Sequence, residues 1–222
     1  MYEVTETDTP DFDEEFKRVW RRSGSARNPA SFLRQIRAYY EEPHRRYHNL
    51  GHIEECLMLF KRRGIYGLAK DPTSVELALI YHDIKYDPGA PHGQNEEESA
   101  AMAVRALADT YPEFRESIER LILGTKHEAG LVDNDEQLVA DIDIATSFTA
   151  PWNKFLAYGA AIREEYRRVV PSDRAFFNGR NEVLQRFLDR PSIFQHPYFQ
   201  EQYEPLAERN LRRAVQQKFQ AA

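Results

Sequence analysis

Apolar side chains recur along most of this chain at spacings of three and four, the period of an α-helix buried on one face. Phe12, Phe16, Val19 and Trp20 form the first such stripe, ended by Ser23-Gly24-Ser25. Asn28-Pro29 is a cap followed by proline at the first helical position, and Phe32, Leu33, Ile36, Tyr39 and Tyr40 continue the pattern up to Glu41-Glu42-Pro43. Asn49 is placed to cap a helix whose inner face is Ile53, Cys56, Leu57 and Phe60, closed by Lys61-Arg62-Arg63 and Gly64. Asp71-Pro72 opens the next, apolar almost all round at Val75, Leu77, Ala78, Leu79 and Ile80, as a helix in the middle of a fold must be. It runs out at His82-Asp83, ahead of a Pro/Gly-rich loop from Asp87 to Gly93 that reads as a candidate lid. Asn95 and Glu98 have the spacing of a capping box for the following helix. Pro112 and Asp133-Asn134-Asp135 open two more, Pro151 another with Trp152, Phe155, Leu156 and Ile162. Val183, Leu184, Phe187 and Leu188, then Tyr203, Leu206, Leu211 and Ala214, mark the last ones.

No useful stretch of β-type alternation, internal repeat or Gly-rich phosphate loop interrupts this pattern. The expectation is an all-α bundle of about eight to ten helices in a single domain over residues 11–222, after a frayed polar tail at 1–10. Of the 222 residues, 41% are apolar and 30% charged, a balance suited to a folded chain rather than a disordered one. No apolar run approaches the roughly 20 residues that span a bilayer, so no membrane association is expected. The acidic start is unlike a signal peptide, and a single cysteine, Cys56, excludes an internal disulfide; a cytoplasmic location is the expectation. A net charge of −6 argues against a nucleic-acid polymer as partner, while a local basic pocket for one phosphate stays compatible with it.

Against that background, a few ionisable residues stand out because they fall on apolar segments. His48 and His52 are four apart, sharing a helical face if the helix reaches back that far, and His52 stands on the stripe of Cys56 and Leu57. His82-Asp83 ends the central helix, and Asp141 and Asp143 lie inside the apolar run Val139–Ile144. Buried ionisable groups without partners are costly, and a cation offsets the cost. Imidazole and carboxylate donors without thiolate suit a divalent cation, with Mn, Mg, Ni, Zn and Fe all open. Two residues apart on a helix, Asp141 and Asp143 point about 200° away from each other, so only one of them faces such an ion.

His48 to Ile53, the His82-Asp83 dyad and the distant Asp pair resemble the HD superfamily of metal-dependent phosphohydrolases. Tyr47-His48-Asn49, His82 to Asp87, Asn95 to Ala100 and the blocks Arg186-Phe187-Leu188 and Asn210-Leu211 are similar to one group of predicted phosphohydrolases within it, over roughly residues 15–215. The resemblance implies an HD-like helical domain whose metal ligands are His52, His82, Asp83 and, in preference to Asp141, Asp143. It also implies hydrolysis of a small phosphorylated molecule, a nucleotide first among them, by a metal-activated water.

A carboxylate is then needed to move the proton. Asp87, four residues beyond Asp83, is the first candidate and Glu96 the second. HD enzymes acting on guanosine tetraphosphate carry a Glu-Asp pair where this chain has Tyr86-Asp87, which argues against that substrate. His48, Lys85, Lys126 and Arg180 are candidates for contact with substrate phosphate, with Arg45-Arg46 as further cations. His48 and His127 are alternatively ligands for a second ion. Lys61-Arg62-Arg63 reads as a solvated helix end and Cys56 as a packing residue. Two other functions fit the same fold: a non-hydrolytic module that binds a metal or nucleotide for regulation, and, needing more ligands, a di-iron oxygenase.

Overall fold

The computed structural model describes residues 11–217, and among these it is all-helical, with no strand. Twelve α-helices follow one another: α1 (Phe12–Arg22), α2 (Pro29–Tyr40), α3 (Leu50–Phe60), α4 (Arg63–Tyr66), α5 (Pro72–Tyr81), α6 (Gln94–Ala106), α7 (Pro112–Leu123), α8 (Asn134–Phe148), α9 (Trp152–Tyr166), α10 (Asp173–Leu188), α11 (Pro197–Gln202) and α12 (Glu204–Val215). A 3-10 turn, Gly124–Lys126, extends α7. The number exceeds the expected eight to ten because α4 and α11 are single short turns with no stripe of their own. The tail at 1–10 lies outside the described residues.

Most starts fall where the cap chemistry puts them. Asp11, Asn28, Asn49, Asp71 and Asp133 each accept a backbone N–H of the first turn that follows. Two expectations need correction. Asn95 does not cap α6; Gly93 does, in the left-handed region at φ 83°, and the Asn95 side chain is turned back to the backbone N–H and C=O of Asp87. Lys61 is not a solvated end, because its amine pairs with Glu15 at 2.6 Å.

Buried apolar residues from α1 to α12 form one continuous cluster around α5, in which every residue from Ser74 to Tyr81 is buried. The one acid in that run, Glu76, is fully buried and paired with Arg18 (2.8 Å) and Arg22 of α1. Tyr40 of α2 reaches the Ile80 carbonyl at 2.8 Å. The C-terminal end of α5 is therefore held rigidly, and the His82-Asp83 dyad stands on it.

Candidate metal centre

Three elements carry the site. The inner stripe of α3 presents His52, the end of α5 presents His82 and Asp83, and α8 presents Asp143. In space the four residues meet. His52 Nε2 lies 2.9 Å from Asp143 Oδ1 and 3.7 Å from Asp83 Oδ2. His82 Nε2 lies 3.2 Å from Asp83 Oδ2 and 3.5 Å from Asp143 Oδ1. Both imidazoles are buried, while the carboxylates keep a thin solvent-facing edge (18% exposed for Asp83, 16% for Asp143).

The His82 ring has one orientation available. Its Nδ1–H donates to the Leu79 carbonyl at 2.9 Å, one turn back, so Nε2 is the atom offered to the cluster. That Nε2 and Asp83 Oδ2 are both buried and both lack a hydrogen bond. A buried polar atom left in that state costs about 1–3 kcal/mol. Burial alone would push His82 down, but the charges of Asp83 and Asp143 outweigh it and hold the imidazole well above its ordinary range. The two aspartates are held low for the reciprocal reason, against their own desolvation. Two imidazole nitrogens and two carboxylates that converge, with two of their atoms making no hydrogen bond, form a donor set that fits a divalent cation, with His52, His82, Asp83 and Asp143 to hold it. Cys56 Sγ stands 3.7 Å from His52 Nε2, and burial raises its thiol well above the usual value.

Asp141 faces away. Its carboxylate accepts the backbone N–H groups of Gln195 (2.9 Å) and His196 (2.7 Å), and burial pushes it up to about 7 despite those bonds. On α8 the opposite sides expected of residues two apart are thus taken by two different jobs.

His48 precedes the Asn49 cap, so it does not share the α3 face with His52; it arrives on the 41–49 loop instead. Its Nδ1 is 2.7 Å from Glu165 Oε2, its ring stacks on Tyr86 at 4.1 Å, and the ring centres of His48 and His52 are 6.3 Å apart. Glu165, from α9, was invisible to motif reading. Its Oε1 accepts three consecutive backbone N–H groups, of Arg46, Tyr47 and His48, and its Oε2 accepts the Tyr86 hydroxyl as well as His48. Desolvation works against it, yet the His48 bond and the backbone donors hold it at about 2. His48 rises correspondingly, burial being outweighed by Glu165 and the two site aspartates. The signal for Glu165 was its register: it continues the Tyr158 and Ile162 stripe of α9.

Other candidates are placed elsewhere. Asp87 is exposed and its Oδ1 accepts the Gly89 N–H at 2.8 Å in an Asp-Pro-Gly turn, so it is not brought into the cluster. Glu96 stands in the first turn of α6, where its charge acts on Tyr166 rather than on the cluster. Lys85 donates to the Tyr39 hydroxyl (3.1 Å) and lines, with Tyr86, Asp87 and Asn95, a cavity of about 320 Å³ that none of the four cluster residues lines. Lys126 pairs with Glu97 at 2.7 Å. Arg45 is spent on structure: its guanidinium donates to the carbonyls of His48, Asp83 and Ile84. Arg180 is half-buried, its guanidinium over the Phe155 ring (5.7 Å) and against Gly159, and desolvation lowers its pKa. No helix among the described residues is long and apolar enough to cross a membrane.

No protein-family model matches this chain, and neither do curated proteins or solved structures.

Proposed function

We propose that the chain is a metal-dependent phosphohydrolase acting on a small phosphorylated molecule, a nucleotide first among them. The observation that carries the reading is the pair of buried, unbonded atoms His82 Nε2 and Asp83 Oδ2, facing each other at 3.2 Å beside His52 and Asp143. Buried polar atoms that make no hydrogen bond call for an explanation, and a bound ion supplies one here. Bound by these four residues, a divalent cation supplies the charge that acidifies water and polarises a phosphoryl oxygen.

The chain's own residues do the rest. Leu79 fixes the His82 tautomer through its carbonyl. The buried walls around His52 and His82 keep the centre at low dielectric, which strengthens every charge interaction inside. His48, aimed by Glu165 and Tyr86 with its ring centre 6.3 Å from that of His52, is a further donor for a phosphate oxygen, and Arg180 offers a bidentate donor without a carboxylate partner among the described residues. Asp87 and Glu96 stand in a turn and a helix start rather than in the cluster; Asp83 and Asp143 are the carboxylates at the centre.

The test is a screen of purified protein against phosphate monoesters, diesters and nucleotides with Mn²⁺, Mg²⁺, Ni²⁺, Zn²⁺ or Fe²⁺ added back. Turnover that requires one added ion and is lost in His82→Ala and Asp83→Ala, both still helical by circular dichroism, is the expected result. One ion without turnover would assign a binding module instead, two irons an oxygenase. Unchanged metal stoichiometry in both variants would remove the site itself.

A further inference from the structure

Asp143 uses its two oxygens differently. Oδ1 makes the contacts to His52 and His82, whereas Oδ2 lies 2.8 Å from Nε2 of His127. A carboxylate oxygen accepts, so at this distance His127 Nε2 carries the hydrogen and donates it. His127 sits just beyond the Gly124–Lys126 turn in the left-handed region at φ 56°, ψ 32°, the one non-glycine with positive φ among the described residues. The surrounding chain holds it there. Arg190, just past the end of α10, donates to the His127 carbonyl and lies over Phe187 (4.3 Å), whose ring meets the His127 ring edge-on at 6.1 Å. Gln195 accepts the N–H groups of Gly130 and Leu131 and donates to the Glu128 carbonyl. An unfavourable backbone conformation is thus fixed from both sides, and its result is one imidazole on the outer oxygen of one carboxylate.

We propose that His127 is a positioning residue of the metal centre, which by engaging Oδ2 leaves Asp143 Oδ1 as the oxygen offered to the ion. This inference rests on the metal-site reading above. A ligating carboxylate whose second oxygen is hydrogen-bonded keeps its orientation, and loss of such a partner costs about 10–100-fold in metal affinity.

Mn²⁺ titrated calorimetrically into the full chain, with thermal unfolding of the same metal-free samples, separates this role from mere packing. His127→Gly removes the donor and relieves the left-handed backbone, because glycine adopts positive φ freely. It is expected to unfold no earlier than wild type, to bind the same single ion, and to bind it about 10–100-fold more weakly. His127→Gln keeps an N–H donor at similar reach and is expected to recover most of that loss. Wild-type affinity in His127→Gly overturns the proposal. So does a second Mn²⁺ that wild type binds and the variant loses, since His127 would then be a ligand. Absence of Mn²⁺ binding in wild type overturns the site reading beneath it and is recognised without any variant.

Discussion

Asp141 and Asp143 show what one residue's position decides. Both are aspartates in the same apolar run, and the sequence says only that they cannot face the same way. The partners lie far along the chain: Asp141 meets the backbone at 195–196, Asp143 meets histidines 91 residues before it and 16 before it. Different losses are therefore expected. On the proposed metal-site reading, Asp143→Ala should abolish metal binding while the chain stays folded. Asp141→Ala should leave metal affinity intact and lower unfolding stability by about 1–3 kcal/mol, the cost of leaving buried N–H groups without an acceptor. Metal titration and urea unfolding of the two variants check this, and exchanged phenotypes would mean that the wrong aspartate has been placed at the centre. The convergence of His52, His82 and Asp83 was legible from two signals together: ionisable side chains on apolar helical segments demand compensation, and the dyad resembles a known motif. His127 reads in the sequence only as an alternative ligand for a second ion, since nothing there marks a non-glycine residue as left-handed.

At the level of elements, the chain's apolar period and its caps located the long helices, because each of those signals is local. The start of α6 was misplaced because Asn95 has a tertiary use that local spacing does not contain. Glu165 shows the same limit more sharply. In Arg163-Glu164-Glu165-Tyr166 it looks like one more solvated charge, yet its carboxylate fastens α9 to the 46–48 loop and to Tyr86. This clamp has a pH signature. The folded carboxyl titrates at about 2 against an ordinary 4.5, so the native state binds fewer protons than the unfolded one between those values. Its stabilisation is complete above about pH 4.5 and disappears as pH falls toward 2, a contribution of up to about 3 kcal/mol for a shift of this size. Glu165→Gln lacks that contribution. The gap between wild-type and variant urea midpoints should accordingly be wide at neutral pH and narrow steadily under acid; a gap constant with pH would show that the carboxylate's charge is not what holds the loop.

For the whole molecule, the cluster is a long-range tie whose strength depends on what it holds. His52, the dyad and Asp143 lie on three different helical segments, and without an ion two of their atoms remain buried and unbonded. An ion that binds only the folded chain should add about 2.7 kcal/mol at a free concentration one hundred times its dissociation constant. The sign of its pH dependence follows from His82. The metal-free fold favours the protonated imidazole, through Asp83 and Asp143, while a ligating imidazole must surrender the Nε2 proton. Protons and ion therefore compete for one nitrogen. The rise in Tm on adding Mn²⁺ should be large near pH 8 and small near pH 6, with protons released to buffer on binding. His82→Ala should show no rise at either pH, having lost both the ligand and the competing proton. A Tm increment that is the same at both values, or that survives in His82→Ala, would place the ion elsewhere on the molecule and leave the dyad as an ion-pair cluster closing the end of α5.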